Sequence, residues 1–172
     1  SITGPAFLAV EPTVNVGTLN VPGGGLAQLL NCSPTFGPRI RAGLAALGVV
    51  AGTPAFDQFL GVAQQISDSG DPINWTSVTA TDRILAQLVV GNGSTVPPDQ
   101  VVPVSCPGAP LSGGEPLVRN MGLASIFATT QNAAGIRGVV RFIAGDHGSL
   151  LSTTASPAAT VEMQGEMASM NV

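Results

Sequence analysis

Three short apolar runs set between helical stretches constrain what this chain can fold into. Val14, Val16, Leu19 and Val21 alternate with an imperfect period of two and stop at Pro22-Gly23-Gly24-Gly25. Residues 84–90 form a second run that breaks at Gly91-Asn92-Gly93-Ser94, and residues 139–143 form a third that leads into Gly145. The intervening sequence has helical spacing. Leu26, Leu29 and Leu30 share one face, Ile40, Leu44 and Leu47 share another with Gly48 as the stop, and Phe56, Phe59, Leu60, Ala63 and Ile66 follow a Thr53-Pro54 start. Residues 2–10 predict a short helix if Pro5 falls in its first turn. Ser112 and Glu115 have capping-box spacing for a helix towards Gly122, and Ser156-Pro157 opens a last helix through Met163 and Met167. Alternation of strands and helices predicts the α/β class, a parallel sheet covered by helices.

About three strands is few for such a sheet, because parallel strands need neighbours and two covered faces. The expectation is therefore that residues 1–172 are the C-terminal part of one larger domain, with residues 24–69 as a helical insertion acting as a cap or lid. Composition narrows the partners. The chain is 44% hydrophobic and 9% charged, enough apolar material for one core, yet it has no unbroken run long enough for a bilayer span. Arginine supplies all the basic charge and the net charge is −4, which argues against nucleic acid and anionic membrane as electrostatic partners. No signal peptide is visible at Ser1-Ile2-Thr3-Gly4-Pro5, so any targeting segment lies elsewhere.

Cys32 and Cys106 belong to no metal-binding spacing. Two readings are open: a disulfide, which implies an oxidising compartment, or two separate buried thiols. With one histidine and no cysteine cluster, neither a zinc site nor any cofactor is expected.

The chemistry concentrates at His147 and Asp99. His147, the only histidine, sits in Gly145-Asp146-His147-Gly148 just after the third apolar run, and Asp99 follows the second. An acid and then a histidine, each beyond a strand, is the second half of the Ser…Asp…His order of a serine hydrolase. In acyl transfer the imidazole takes the hydroxyl proton, and the acid fixes its tautomer and stabilises the imidazolium. Rival acids are Asp71, whose Asp71-Pro72 pair suits a turn, and Asp146, which as the histidine's neighbour suits local backbone bonds. Trp75 is a candidate for lining an acyl pocket, with core packing as the alternative.

At these residues the chain resembles bacterial extracellular lipases of the virulence-factor type. The segments that carry the resemblance are 145–151, 156–160 with Glu162-Met163-Gln164, and 98–103; residues 22–25, 33–41 and 70–74 are similar to the same family's middle section. The resemblance implies an α/β-hydrolase fold, secretion or surface display, and hydrolysis of lipid or related esters, with acyl transfer or polyester cleavage as variants. It also implies Asp99 and His147 as catalytic acid and base. One departure stands out. The family's nucleophile elbow, Gly-His-Ser-Leu-Gly or similar, is expected immediately upstream of Ser1, on a preceding segment or a partner chain. Two other hypotheses remain: Ser1 as an N-terminal nucleophile with its own amine as base, and a non-catalytic binding or structural module.

Overall fold

The computed structural model describes residues 2–79, 81–128, 130 and 135–170. Among them four parallel strands form one sheet in the order β1-β2-β4-β3, where β1 is Val16–Asn20, β2 Arg83–Val89, β3 Ala124–Ser125 and β4 Gly138–Phe142. Six α-helices accompany the sheet: α1 Gly4–Val10, α2 Leu26–Cys32, α3 Gly37–Ala46, α4 Pro54–Ser67, α5 Gly114–Asn120 and α6 Pro157–Ser169. This is the α/β class expected from the alternation of apolar runs.

The central strand β2 explains the layering. Side chains alternate across a strand, so a strand covered on both faces reads as a continuous apolar run. Ile84, Ala86 and Leu88 pack with Leu8 of α1 and Leu117 and Val118 of α5 on one face. Val89 packs on the other with Val21, Phe142 and Met163, the last from α6. A buried leucine such as Leu117, wholly removed from water, contributes about 2 to 3 kcal/mol. Gln87 is the one polar side chain in that run, also wholly buried. Its amide donates to the Met163 carbonyl at 3.0 Å and to Glu166 Oε2 at 2.7 Å, and its Oε1 accepts from Asn20 Nδ2 at 3.0 Å. Every polar atom it buries is thus partnered, which removes the desolvation cost.

Local start signals act as expected in α4 and α6. Thr53 accepts from the Phe56 amide at 3.4 Å and Ser156 from the Ala159 amide at 3.2 Å, each followed by a proline in the first turn. Two expectations need correction. The sheet has a fourth strand, the two-residue β3, which pairs with β4. Ser112 caps nothing in α5: its hydroxyl donates to the Gly25 carbonyl at 2.9 Å. Glu115 pairs instead with Arg141, at 2.5 Å to Nε and 2.8 Å to Nη2.

The insertion between β1 and β2 holds α2, α3 and α4, with α3 and α4 both packed on α2. It buries little of itself. Across residues 34–70 only Gly37, Phe56 and Leu60 are buried, while Phe59, Val62 and Ile66 line an exposed face of α4. Among the described residues no helix is long and apolar enough to cross a membrane.

Candidate active site

Asp99 and His147 meet at the carboxyl ends of the two adjacent strands β2 and β4. The ends are tied together by the Val90 amide, which donates to the Phe142 carbonyl at 2.9 Å. Beyond Val90 the chain leaves the sheet in a loop organised by Asn92, whose Oδ1 accepts from the amides of Ser94, Thr95 and Val96 at 3.0, 2.9 and 2.9 Å. The loop then folds back. The Asp99 amide donates to the Val89 carbonyl at 3.0 Å, which pins the acid against the end of β2.

On the other side, β4 runs into a tight loop at 145–149. Gly145 has φ of 100°, and a Cβ there would stand 2.8 Å from Ser149 Oγ, so only glycine fits. Asp146 Oδ1 accepts from the Gly148 amide at 2.9 Å and from Ser149 Oγ at 3.0 Å, and Ser149 Oγ accepts from the Asp146 amide at 2.7 Å. These bonds fix the loop and occupy Asp146. His147 is presented from its rim.

The pair itself is a 2.7 Å contact between His147 Nδ1 and Asp99 Oδ2. The other carboxylate oxygen, Oδ1, accepts from the amides of Val101 at 2.7 Å and Val102 at 3.0 Å. Exposure is very unequal: the Asp99 side chain is 2% accessible and the His147 side chain 38%. A carboxylate only accepts hydrogen bonds, so in the neutral imidazole the proton sits on Nδ1 and Nε2 carries the free lone pair. Among the described residues nothing bonds Nε2, and no hydroxyl reaches it. The arrangement can therefore accept a proton from an incoming group and hold the resulting imidazolium against a buried negative charge.

The other candidates lie elsewhere. Asp71 is wholly buried and caps the N-terminus of α2: Oδ1 accepts from the Gly25 amide at 2.9 Å and Ile73 amide at 3.1 Å, and Oδ2 from the Leu26 amide and Gln64 Nε2, both at 2.7 Å. Four donors leave it no role as partner of the histidine. Trp75 is half-buried and donates from Nε1 to the Ser69 carbonyl at 3.0 Å. Cys32 and Cys106 form a disulfide with their Cα atoms 5.9 Å apart. Ser1 lies outside the described residues. No group of three or more His, Cys, Asp or Glu among the described residues is placed to hold a metal ion.

A cleft of about 480 Å³ opens between α2, α4 and the 109–112 loop, lined by Gln28, Asp57, Leu60, Gln64, Ile73 and Leu111 among others. Neither Asp99, His147 nor Trp75 borders it, so this cleft and the histidine pair are separate features. No sequence signal marks the cleft, because its walls come from separate stretches of chain at 25–28, 57–74 and 109–112. No protein-family model matches the chain, and no curated protein and no solved structure matches it either.

Proposed function

We propose that this chain carries the acid and base of a serine carboxylic-ester hydrolase. The observation that carries the reading is the 2.7 Å bond from His147 to a carboxylate that is itself buried and doubly bonded by backbone amides, with Nε2 left open. In this reading Nε2 takes the proton of a serine hydroxyl as its oxygen attacks an ester carbonyl. The imidazolium then returns that proton to the leaving alcohol, and an acyl-serine remains. Water, deprotonated by the same Nε2, attacks the acyl carbonyl, and the imidazolium returns that proton to the serine oxygen as its bond to the acyl carbon breaks, releasing the acid. The hydroxyl comes from a segment preceding Ser1 or from a partner chain.

Further support is chemical. The position of both residues beyond the carboxyl ends of parallel strands is where α/β folds assemble their sites. The exposed apolar side chains of the insertion, Phe59, Val62 and Ile66, suit a cap over a lipid-like acyl group. A disulfide suits a secreted or surface-displayed protein. The resemblance of residues 145–151 to extracellular lipases points the same way. Trp75 belongs to this reading as an acyl-pocket residue only if substrate reaches past the insertion.

The test is an assay of p-nitrophenyl esters on a polypeptide that includes the segment preceding Ser1. His147→Ala is expected to lower kcat by about a thousandfold or more; full activity in that variant overturns the proposal. The rival reading is a non-catalytic binding or structural module. That rival predicts no labelling of the longer polypeptide by a serine-directed phosphonate.

A further inference from the structure

The carboxylate of Asp99 is held by two backbone amides, and those amides are held in turn from the insertion. A peptide unit is planar and rigid, so its C=O and N–H move together. The Gln100–Val101 unit presents its N–H to Asp99 Oδ1 at 2.7 Å, and its C=O accepts from the Thr35 amide at 3.0 Å and Ser33 Oγ at 3.3 Å. The Val101–Val102 unit repeats the pattern: its N–H reaches Asp99 Oδ1 at 3.0 Å, and its C=O accepts from Ser33 Oγ at 2.8 Å. The same two planes are gripped at one end by the carboxylate and at the other by Ser33 and Thr35.

Ser33 is the first residue beyond α2 and is 1% exposed. Its hydroxyl does not cap that helix; it spans to a loop 67 and 68 residues away. The adjacent Cys32 is bonded to Cys106, which limits how far the two segments can separate. Tilting either plane to follow a displaced Ser33 swings its N–H off the carboxylate, and the carboxylate is what aims the imidazole.

We propose that Ser33, with the Thr35 amide, is a positioning clamp through which the insertion sets the geometry of the Asp99–His147 pair. The inference rests on the reading of that pair as the working acid and base. It names the part of the cap that controls it.

The single histidine makes the test direct, since one imidazole Nδ1–H proton gives one NMR signal. Its exchange with water is measured beside that of the Leu88 amide in the core of β2, which reports opening of the whole sheet. In Ser33→Ala the His147 proton is expected to exchange about tenfold faster, the effect of one lost hydrogen bond to a buried carbonyl, with Leu88 unchanged. Thr35→Pro, which removes the second donor at an exposed residue, is expected to give a smaller acceleration in the same direction. It decides the matter if Ser33→Ala does not fold. Equal acceleration of both protons means Ser33 only stabilises the fold, and no acceleration means the clamp is idle; either result overturns the proposal. No ester enters this measurement. Loss of hydrolysis in His147→Ala with an unchanged exchange rate in the Ser33 and Thr35 variants would defeat the clamp alone, and the converse would defeat the hydrolase alone.

Discussion

Removing the Cys32–Cys106 bridge tests how the insertion is fastened to the sheet. The two cysteines are 74 residues apart, and the segment between them contains α3, α4, β2 and the Asp99 loop. On the chain-entropy relation, closing a loop of that length removes about 15 cal/mol/K from the unfolded state, which is about 4.5 kcal/mol at about 25 °C. Native bridges in small secreted domains contribute about 2 to 5 kcal/mol when removed, so a loss of about 3 to 4.5 kcal/mol is expected for Cys32→Ala combined with Cys106→Ala. Urea titration followed by the fluorescence of Trp75, the only tryptophan, measures it. The variant should reach its midpoint at lower urea and keep Asp99 bonded to His147, because the Ser33 contacts do not involve sulfur. A loss under about 1 kcal/mol would refute the reasoning, since the unfolded chain could not then be gaining the freedom that the bridge denies it.

Asp71→Ala leaves the amides of Gly25, Leu26 and Ile73 without their side-chain acceptor and removes one of the two carboxylates that Gln64 Nε2 bonds, Asp68 being the other. At about 1 kcal/mol for each bond the expected loss is about 3 to 4 kcal/mol by thermal unfolding, and a loss under about 1 kcal/mol would contradict the capping role. Burial pushes the Glu166 carboxyl above its ordinary value of 4.5, the Gln87 hydrogen bond opposes this, and the charge of Glu162 adds to it. Because its folded value is raised, Glu166 contributes most below 4.5 and that contribution is lost as pH rises through the raised value. Unfolding free energies at about pH 4 and about pH 8 should therefore show Glu166→Gln gaining on the unaltered protein as pH rises; the opposite slope would contradict the assignment.

Much of the fold is legible in the sequence because burial imposes a period. β1 lies within the first apolar run, β2 and β4 coincide with the second and third but each starts one residue earlier, and Thr53-Pro54 and Ser156-Pro157 open α4 and α6 as their chemistry dictates. What failed has tertiary causes. Ala124 and Ser125 of β3 are both exposed and too few to show any alternation. Ser112 and Glu115 have the spacing of a capping box, but Gly25 and Arg141, distant in sequence, claim both side chains. Of the α4 positions with amphipathic spacing, Phe56 and Leu60 are buried whereas Phe59 and Ile66 face outward, because α2 covers only one side.

The site divides in the same way. Asp99 and His147 are legible because each follows a strand, and neighbouring parallel strands bring their carboxyl ends together. Spacing alone leaves the pairing of the cysteines open, and only the fold settles it. Asp71 reads as a turn residue and does bond the Ile73 amide two residues on, yet its larger role at the start of α2 depends on partners 45 and 46 residues away. Ser33 Oγ accepts locally only from the Phe36 amide at 3.2 Å, and nothing in the sequence marks its donation to carbonyls 67 and 68 residues away, which any residue could supply.

The central claim is that a buried carboxylate and an accessible imidazole act as one proton-transfer unit on an ester. A double-mutant cycle of Asp99→Asn and His147→Gln, read as kcat for p-nitrophenyl ester hydrolysis by the polypeptide that bears the nucleophile, tests it most directly. Each single change should cost about 10³- to 10⁴-fold, and the double variant should be no slower than His147→Gln alone, because an orienting acid has nothing left to orient. Losses that multiply in the double variant would mean that the two residues act independently, and the account would be wrong.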